Sequence, residues 1–319
     1  MPCVREMLAE QGISAESIEI IISSWRGGTQ KAYRHYILRW TQFCSERKRS
    51  SIEPSVKELL AFLTVLFHEG KSYNTLCVAR SAISALSIKE HMTIGSHQLI
   101  KRFLTGVFKM RPALPRNNVT WDPQIVLNFL KNWSPANNLS LYQLSIKVVL
   151  LCLLVSGQRG QAVHLFDMRN MSWFSDRVTC RFGDLLKTST PRAHQDEIVL
   201  KGFFDKRVCV VHYLNVYKKR TEPLRGKETK FFISVKKPHL AVSRDTIRRW
   251  TKQGLTKAGI DMNIFTPHST RAASSSKASK SIGLKTILKT VGWRRASTFT
   301  NFYKKKIGQE GRYAEAVLT

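Results

Sequence analysis

Two prolines and two asparagines fall in the stretch Met110–Asn118 (MRPALPRNN), and no continuous helix can cross it. The chain must therefore fold as two parts, and the parts differ in pattern. Residues 14–110 carry helical periodicity with no strand pattern. Ser14 and Ser17 precede the run Ile18–Trp25, which predicts a capped helix ending at Gly27-Gly28. Thr29 is the expected cap of a second helix, Gln30–Glu46, whose Tyr33, Tyr36, Ile37, Trp40 and Phe43 share helical spacing. Pro54-Ser55 opens a third helix through Phe67, Ser72–Leu86 reads as a fourth and Ser96–Phe108 as a fifth. The stripe Tyr33–Tyr36–Trp40 is expected in the core, with Lys31, Arg34 and Arg39 on other faces.

Beyond the break the pattern becomes mixed. Asp122-Pro123 starts a helix with proline in its first position, running through Leu130. An apolar helix follows from Leu141 to Val155. Arg177–Phe182 and Glu197–Leu200 are short, β-branched and aromatic, and read as a small sheet. Residues 207–220 and 243–258 return to helical spacing. The expected architecture is mainly α with a small β-sheet: a helical domain at 1–110, a linker at 111–120, and a mixed α/β domain with a C-terminal tail at 121–319.

Charge narrows the partners. The 319 residues hold 52 Lys and Arg against 22 Asp and Glu, a formal net charge of +30. Hydrophobic residues make up 43%, enough for real cores, which excludes a disordered polycation. Residues 1–110 carry 15 basic and 9 acidic residues, while residues 111–319 carry 37 and 13, so the second part holds most of the excess. Lys and Arg displace condensed counterions from a phosphate backbone, and nucleic acid is the expected partner. A membrane span is not expected: the most apolar run, Ile146–Val155, contains Lys147 and is far shorter than the ~18–20 residues required. The first residues, MPCVREMLAEQG, have no apolar segment of the secretory kind. The six cysteines show no CxxC spacing, and are expected as thiols in a reducing compartment.

Four pieces of the second part carry chemistry. The first is Ser156-Gly157-Gln158-Arg159-Gly160-Gln161-Ala162, directly after the apolar helix. The second is Leu185-Leu186-Lys187-Thr188-Ser189, at the end of an expected strand. The third is Pro267-His268-Ser269-Thr270-Arg271, whose His and Arg share a helix face. The fourth is Gly292-Trp293 followed by Thr298-Phe299-Thr300-Asn301-Phe302-Tyr303. Each piece alone has an ordinary explanation as a salt bridge, a surface pair or packing. Their joint order in so basic a domain does not.

This order of Arg, Lys, His-x-x-Arg, Gly-Trp and Tyr resembles the tyrosine recombinase (phage integrase) family over roughly residues 25–305. A narrower likeness, to the recombinases of DIRS-type and Ngaro-type retrotransposons, is carried by four phrases. These are Ser24-Trp25-Arg26 with Thr29–Tyr33, Val155–Arg159, His268–Ser274, and Ile287–Trp293 with Ser297–Tyr303. The resemblance implies an all-helical core-binding (SAM-like) N-terminal domain and a mixed α/β catalytic domain that clamp double-stranded DNA. It implies six catalytic residues: Arg159, Lys187, His268, Arg271, Trp293 and Tyr303. Tyr303 would attack a backbone phosphorus to form a 3′-phosphotyrosyl link. His268 would take its proton, Lys187 would protonate the leaving 5′-oxygen, Arg159 and Arg271 would hold the phosphate oxygens, and Trp293 would offer its indole N–H.

Arginine suits this role because a planar guanidinium binds phosphate oxygens in pairs and stays charged. A free tyrosine has a pKa of ~10 and needs help to ionise. No metal, ATP or other cofactor is implied, and no small-molecule substrate. A homo-oligomer is implied, a tetramer on paired sites, acting in the nucleus to integrate a mobile element. Three other readings remain open: a domesticated DNA-binding protein that no longer cleaves, a type IB topoisomerase, and a structural basic protein. One departure stands out. Many relatives carry an acidic residue three positions after the first Arg, where this chain has Ala162, with Gln161 beside it.

Overall fold

The computed structural model describes residues 2–87, 93–112, 118–187, 189–191 and 197–308. The chain divides into two compact units, Met1–Pro115 and Arg116–Thr319.

The first unit is all helical. Its elements are α1 (Pro2–Glu10), α2 (Ala15–Ser23), α3 (Gly27–Glu46), α4 (Val56–His68), α5 (Tyr73–Ser84) and α6 (Gln98–Met110). Caps set the boundaries. The Ser14 hydroxyl accepts from the Ser17 N–H, Ser55 and Glu58 form a reciprocal capping box, and Ser72 accepts from Thr75. Trp40, Leu59, Leu63, Leu66, Leu76 and Ile83 are buried in one core, and Tyr33 and Tyr36 pack half-buried at its margin.

Three details differ from the sequence reading. Helix α1 has only nine residues and was not anticipated. The Gly27-Gly28 pair does not end a helix but begins α3, and Thr29 is not its cap. The reason lies in Arg26 and Gln30. The Arg26 carbonyl accepts from the Gln30 N–H at 2.9 Å, so the new helix starts at once. The Gln30 side chain donates to the carbonyls of Ile22 and Trp25 at 3.1 and 2.9 Å, closing the end of α2. Finally, α6 begins at Gln98 after a short 3-10 turn, with His97 Nδ1 accepting from the Leu99 N–H.

The second unit opens with β1 (Val119–Thr120), so the stretch read as a linker ends in a strand. Residues 113–117 of that stretch lie outside the described residues. Helix α7 (Pro123–Asn132) follows, with Asp122 as its cap and proline first, and then α8 (Leu141–Ser156), capped by Ser140 and Gln143. Every residue from Leu144 to Leu154 on α8 is buried, which makes it the central helix of the unit. After α9 (Gly160–His164) come β2 (Met171–Trp173), β3 (Arg177–Arg181) and β4 (Glu197–Lys201), an antiparallel meander. Its register pairs Ser172 with Thr179 and Thr179 with Val199. The three-residue β2 was too short to announce itself.

Helices α10 (Val210–Thr221) and α11 (Arg244–Lys257) pack against α8. A Cβ on Gly254 of α11 would stand 2.5 Å from Leu150 Cδ1, so glycine is what lets α11 approach this closely. Helices α12 (Ser269–Ala278), α13 (Leu284–Val291) and α14 (Ala296–Phe302) complete the unit, and β5 (Lys306–Ile307) returns to pair in parallel with β1.

Lys147 is fully buried on α8. It donates to the carbonyls of Leu130 and Trp133 at 2.7 and 2.6 Å and lies 3.8 Å from the Tyr213 ring centre, so it serves as a C-terminal cap for α7. Burial pushes its ammonium down to about 7. All six cysteines are free thiols. No helix among the described residues is long and apolar enough to cross a membrane. Residues 309–319 of the expected C-terminal tail lie outside the described residues.

Candidate active site

The site assembles where α8 ends. Gly157 closes that helix in the left-handed region, with φ +60°, and its N–H donates to the Leu153 carbonyl. A Cβ there would meet Val291 Cγ2 at 2.9 Å, so glycine satisfies both the backbone turn and the close approach of α13. The next residue, Gln158, is buried, and its side-chain amide donates to the Thr290 carbonyl at 2.9 Å. Arg159 then holds the capping position of α9, half-buried; its carbonyl accepts from the Ala162 N–H at 2.8 Å, while its side chain has no hydrogen-bond or ion-pair partner among the described residues.

Helix α12 supplies the opposite wall. His268 precedes its first turn, and Arg271, one turn in, is wholly buried. Arg271 donates from one terminal nitrogen to the Gly157 carbonyl and from the other to the Val291 carbonyl, both at 3.0 Å. These carbonyls lie at the ends of α8 and α13, where intrahelical partners run out. Arg271 therefore staples two helix ends to a third helix. Two of its five N–H bonds are spent this way. The Nε–H is buried and has no partner among the described residues.

Above this guanidinium lie two aromatic rings. Its carbon is 4.5 Å from the Trp293 ring centre and 5.5 Å from that of Tyr303. The two rings are 4.6 Å apart and tilted by 35°. Trp293 follows Gly292, the left-handed cap of α13, and its indole N–H is buried and unpartnered among the described residues. Tyr303 ends α14, and its hydroxyl lies 3.0 Å from His268 Nε2.

Charge is one-sided here. The His268 ring keeps an exposed edge, yet burial first, then Arg159, Arg271 and Lys187, push it down to about 4. At neutral pH it is uncharged, with a lone pair to offer. Burial and the nearby Arg159 push Arg271 down to about 9, so it stays a cation.

Lys187 is not at a strand end as anticipated. Strand β3 ends at Arg181, and Lys187 sits six residues on, in a turn closed by reciprocal bonds between Leu186 and Ser189. Thr188 of this turn lies outside the described residues. Arg294 bonds the Thr190 hydroxyl, joining this loop to the Trp293 segment. Lys187 lines one cleft with Gln158, Arg159, Gln161, Ala162 and Leu186. Ala162 is buried. The buried carboxylate nearest in sequence, Asp167, pairs instead with Arg169 and Lys230 and is held down to about 2, chiefly by the Arg169 bonds.

The structure thus gathers all six anticipated residues. Tyr303 contacts His268, Trp293 and Arg271, Arg271 also underlies Trp293, and the charges of Arg159 and Lys187 reach His268. Sequence reasoning missed the serines of α12. Ser274 bonds the Leu154 carbonyl, and Ser276 bonds the backbone beside Tyr303. Their signal was a run of three serines in a helix, which alone does not distinguish solvent from backbone as partner. Among the described residues no group of three His, Cys, Asp or Glu comes together in the manner of a metal site.

No family model and no curated protein matches the sequence. Solved structures do resemble it. The Tn1549 transposon integrase in complex with transposon right end DNA is 14% identical, with a TM-score of 0.60, and the match covers 99% of this chain and 98% of that one. The XerH site-specific recombinase bound to palindromic difH substrate in a post-cleavage complex is also 14% identical, with a TM-score of 0.54, covering 83% and 72%. A lambda integrase bound to DNA is 16% identical, with a TM-score of 0.50, covering 97% and 95%. At these identities the likeness is one of fold. The chain shares the fold of these integrase and recombinase structures, mainly helical, with a helical N-terminal domain and a mixed α/β second domain.

Proposed function

We propose that this protein is a site-specific DNA recombinase that cuts and rejoins strands through Tyr303. The observation that carries the reading is the Tyr303 hydroxyl 3.0 Å from the uncharged His268 imidazole, over a buried arginine, in a domain with a large basic excess. The His–Tyr contact has the reach that general-base catalysis needs. In the step we propose, Tyr303 Oη bonds to phosphorus as its proton passes to His268 Nε2. The bond from phosphorus to the 5′-oxygen breaks, and Lys187 gives that oxygen a proton. Negative charge builds on the non-bridging oxygens, where Arg159 is free to bind them and Arg271 offers its remaining N–H bonds. The phosphotyrosyl ester conserves the bond energy, and reversal against a new 5′-hydroxyl rejoins the strand.

The finer parts of the reading follow from resemblance. The helical first unit acts as the core-binding domain, and the exposed cations of α11, Arg244, Arg248, Arg249 and Lys252, meet DNA phosphates. The enzyme acts as a tetramer on paired sites, and the four sequence phrases shared with DIRS and Ngaro recombinases support a mobile-element role in a nucleus. The test uses a pool of nicked duplexes of randomised sequence, incubated with the protein and resolved under denaturing conditions. A covalent adduct is expected from the wild type and none from Tyr303→Phe. Binding without adduct would favour a domesticated, non-cleaving protein. Relaxation of supercoiled plasmid by monomers without strand exchange would favour a topoisomerase.

A further inference from the structure

We propose that Ser276 is the positioning residue that presents Tyr303 to its pocket, an inference that rests on the nucleophile assigned above. Ser276 lies on α12, the helix that also carries His268 and Arg271, and it is 3% exposed. Its hydroxyl donates to the Tyr303 carbonyl at 2.8 Å and accepts from the Lys305 N–H at 3.0 Å. One hydroxyl thus uses both its capacities on the two peptide groups that flank Lys304, directly after the tyrosine.

The local chain needs this pin. Helix α14 runs out at Tyr303, whose N–H and that of Lys304 both fall on the Phe299 carbonyl at 2.8 Å. Three residues later the chain pairs with β1, Lys306 opposite Val119. Between these two anchors the backbone must turn, and Ser276 is the side chain that ties the turn to the wall of the site. Because the base caps α12 and the buried cation and the pin lie on it, the distance from Tyr303 to His268 and Arg271 is set by one helix and its cap. A residue with this role touches neither phosphate nor proton. Its loss removes both half-buried bonds from the turn after the tyrosine and lets the ring drift.

The test compares Ser276→Ala and Ser276→Thr with the wild type on a nicked duplex recovered from the randomised pool. It reads DNA binding, melting midpoint, single-turnover cleavage at saturating DNA and the pH profile of cleavage. Ser276→Ala is expected to bind DNA as the wild type does and to cleave about 10²-fold more slowly, since a displacement near 1 Å costs that much. Its pH profile should keep the wild-type shape, because the groups that move protons are untouched. Ser276→Thr, which keeps the hydroxyl, should recover most of the rate. Wild-type cleavage by Ser276→Ala would overturn the proposal while leaving the recombinase reading intact. So would a loss that tracks weakened binding or a lowered melting midpoint and is not rescued by threonine. Absence of any adduct from the wild type would instead overturn the recombinase reading, and this proposal with it.

Discussion

The Arg271 guanidinium donates to the Gly157 carbonyl at 3.0 Å across 114 residues of chain. This bond makes the end of the central helix part of the candidate site. It also fixes the register between α8, which leads into Arg159, and α12, which carries His268. The second arginine bond, to Val291, brings in the turn that carries Trp293. One buried cation therefore ties together the ends of α8 and α13 and the helix α12.

Arg271→Lys keeps the charge but cannot reach both carbonyls. Each buried carbonyl left unpaired costs about 1–3 kcal/mol. We expect a lower melting midpoint and cleavage reduced by at least about 10²-fold, in line with removal of a preorganised donor. Wild-type cleavage by this variant, measured as adduct formed per minute, would contradict the staple's role.

Gly157→Ala tests the same junction from the other side. The residue has φ +60°, and the added methyl would press on Val291 at 2.9 Å. The left-handed backbone costs roughly 1–2 kcal/mol for a residue with a Cβ. Chemical denaturation should show a loss of that size or larger, with cleavage falling as the carbonyl that holds Arg271 shifts.

How much of this was legible in the sequence can be argued from these same residues. The six residues Arg159, Lys187, His268, Arg271, Trp293 and Tyr303 could be picked out from the family resemblance, and the fold places His268, Arg271, Trp293 and Tyr303 around one another. The helix starts at Ser14, Ser55, Ser72 and Asp122 were readable too, because caps are local chemistry. The staple was not. Arg271 binds carbonyls 114 residues upstream and 20 downstream, and no local pattern encodes either partner. The Ser276 pin escaped for the same reason. Gly27-Gly28 misled because glycine suits a helix end and also a first helical turn, and only the bonds made by Gln30 decide between them.

His268 gives a pH signature. Its folded value is near 4, below the ordinary histidine value of 6.5. Between these values the unfolded chain binds the proton and the folded one does not, so stability rises with pH from about 4 to 6.5. The contribution is fully present above 6.5 and is lost as pH falls through this window. Over pH 7 down to 4 the wild-type melting midpoint should fall relative to that of His268→Gln, which lacks the titrating group. Cleavage by the wild type should be insensitive to His268 protonation down to about pH 5.

Lys147 acts in a higher window. Its folded value near 7 lies below the ordinary 10.5, so the unfolded chain holds the extra proton between them and stability rises with pH from about 7 to 10.5. Lys147→Met should lose this rise. At pH 8 it should also be destabilised by about 1–3 kcal/mol, because the Leu130 and Trp133 carbonyls lose their donor. Urea melts at several pH values check both effects.

The exposed cations of α11 should appear in salt dependence. Each phosphate contact contributes about 0.9 to the slope of log affinity against log salt. Arg248→Ala and Lys252→Ala should each flatten the slope by about 1 while leaving the melting midpoint unchanged. Unaltered slopes in both would remove α11 from the DNA interface.

The most direct measurement maps the covalent bond itself. Protein trapped on a nicked duplex is digested with protease and nuclease, the nucleotidyl peptide is sequenced by mass spectrometry, and the released strand end is labelled with a kinase. The account requires the added mass on Tyr303, joined to a 3′-phosphate, and a 5′-hydroxyl on the released strand. A bond to any other residue, or cleavage by Tyr303→Phe at the wild-type rate, would contradict it.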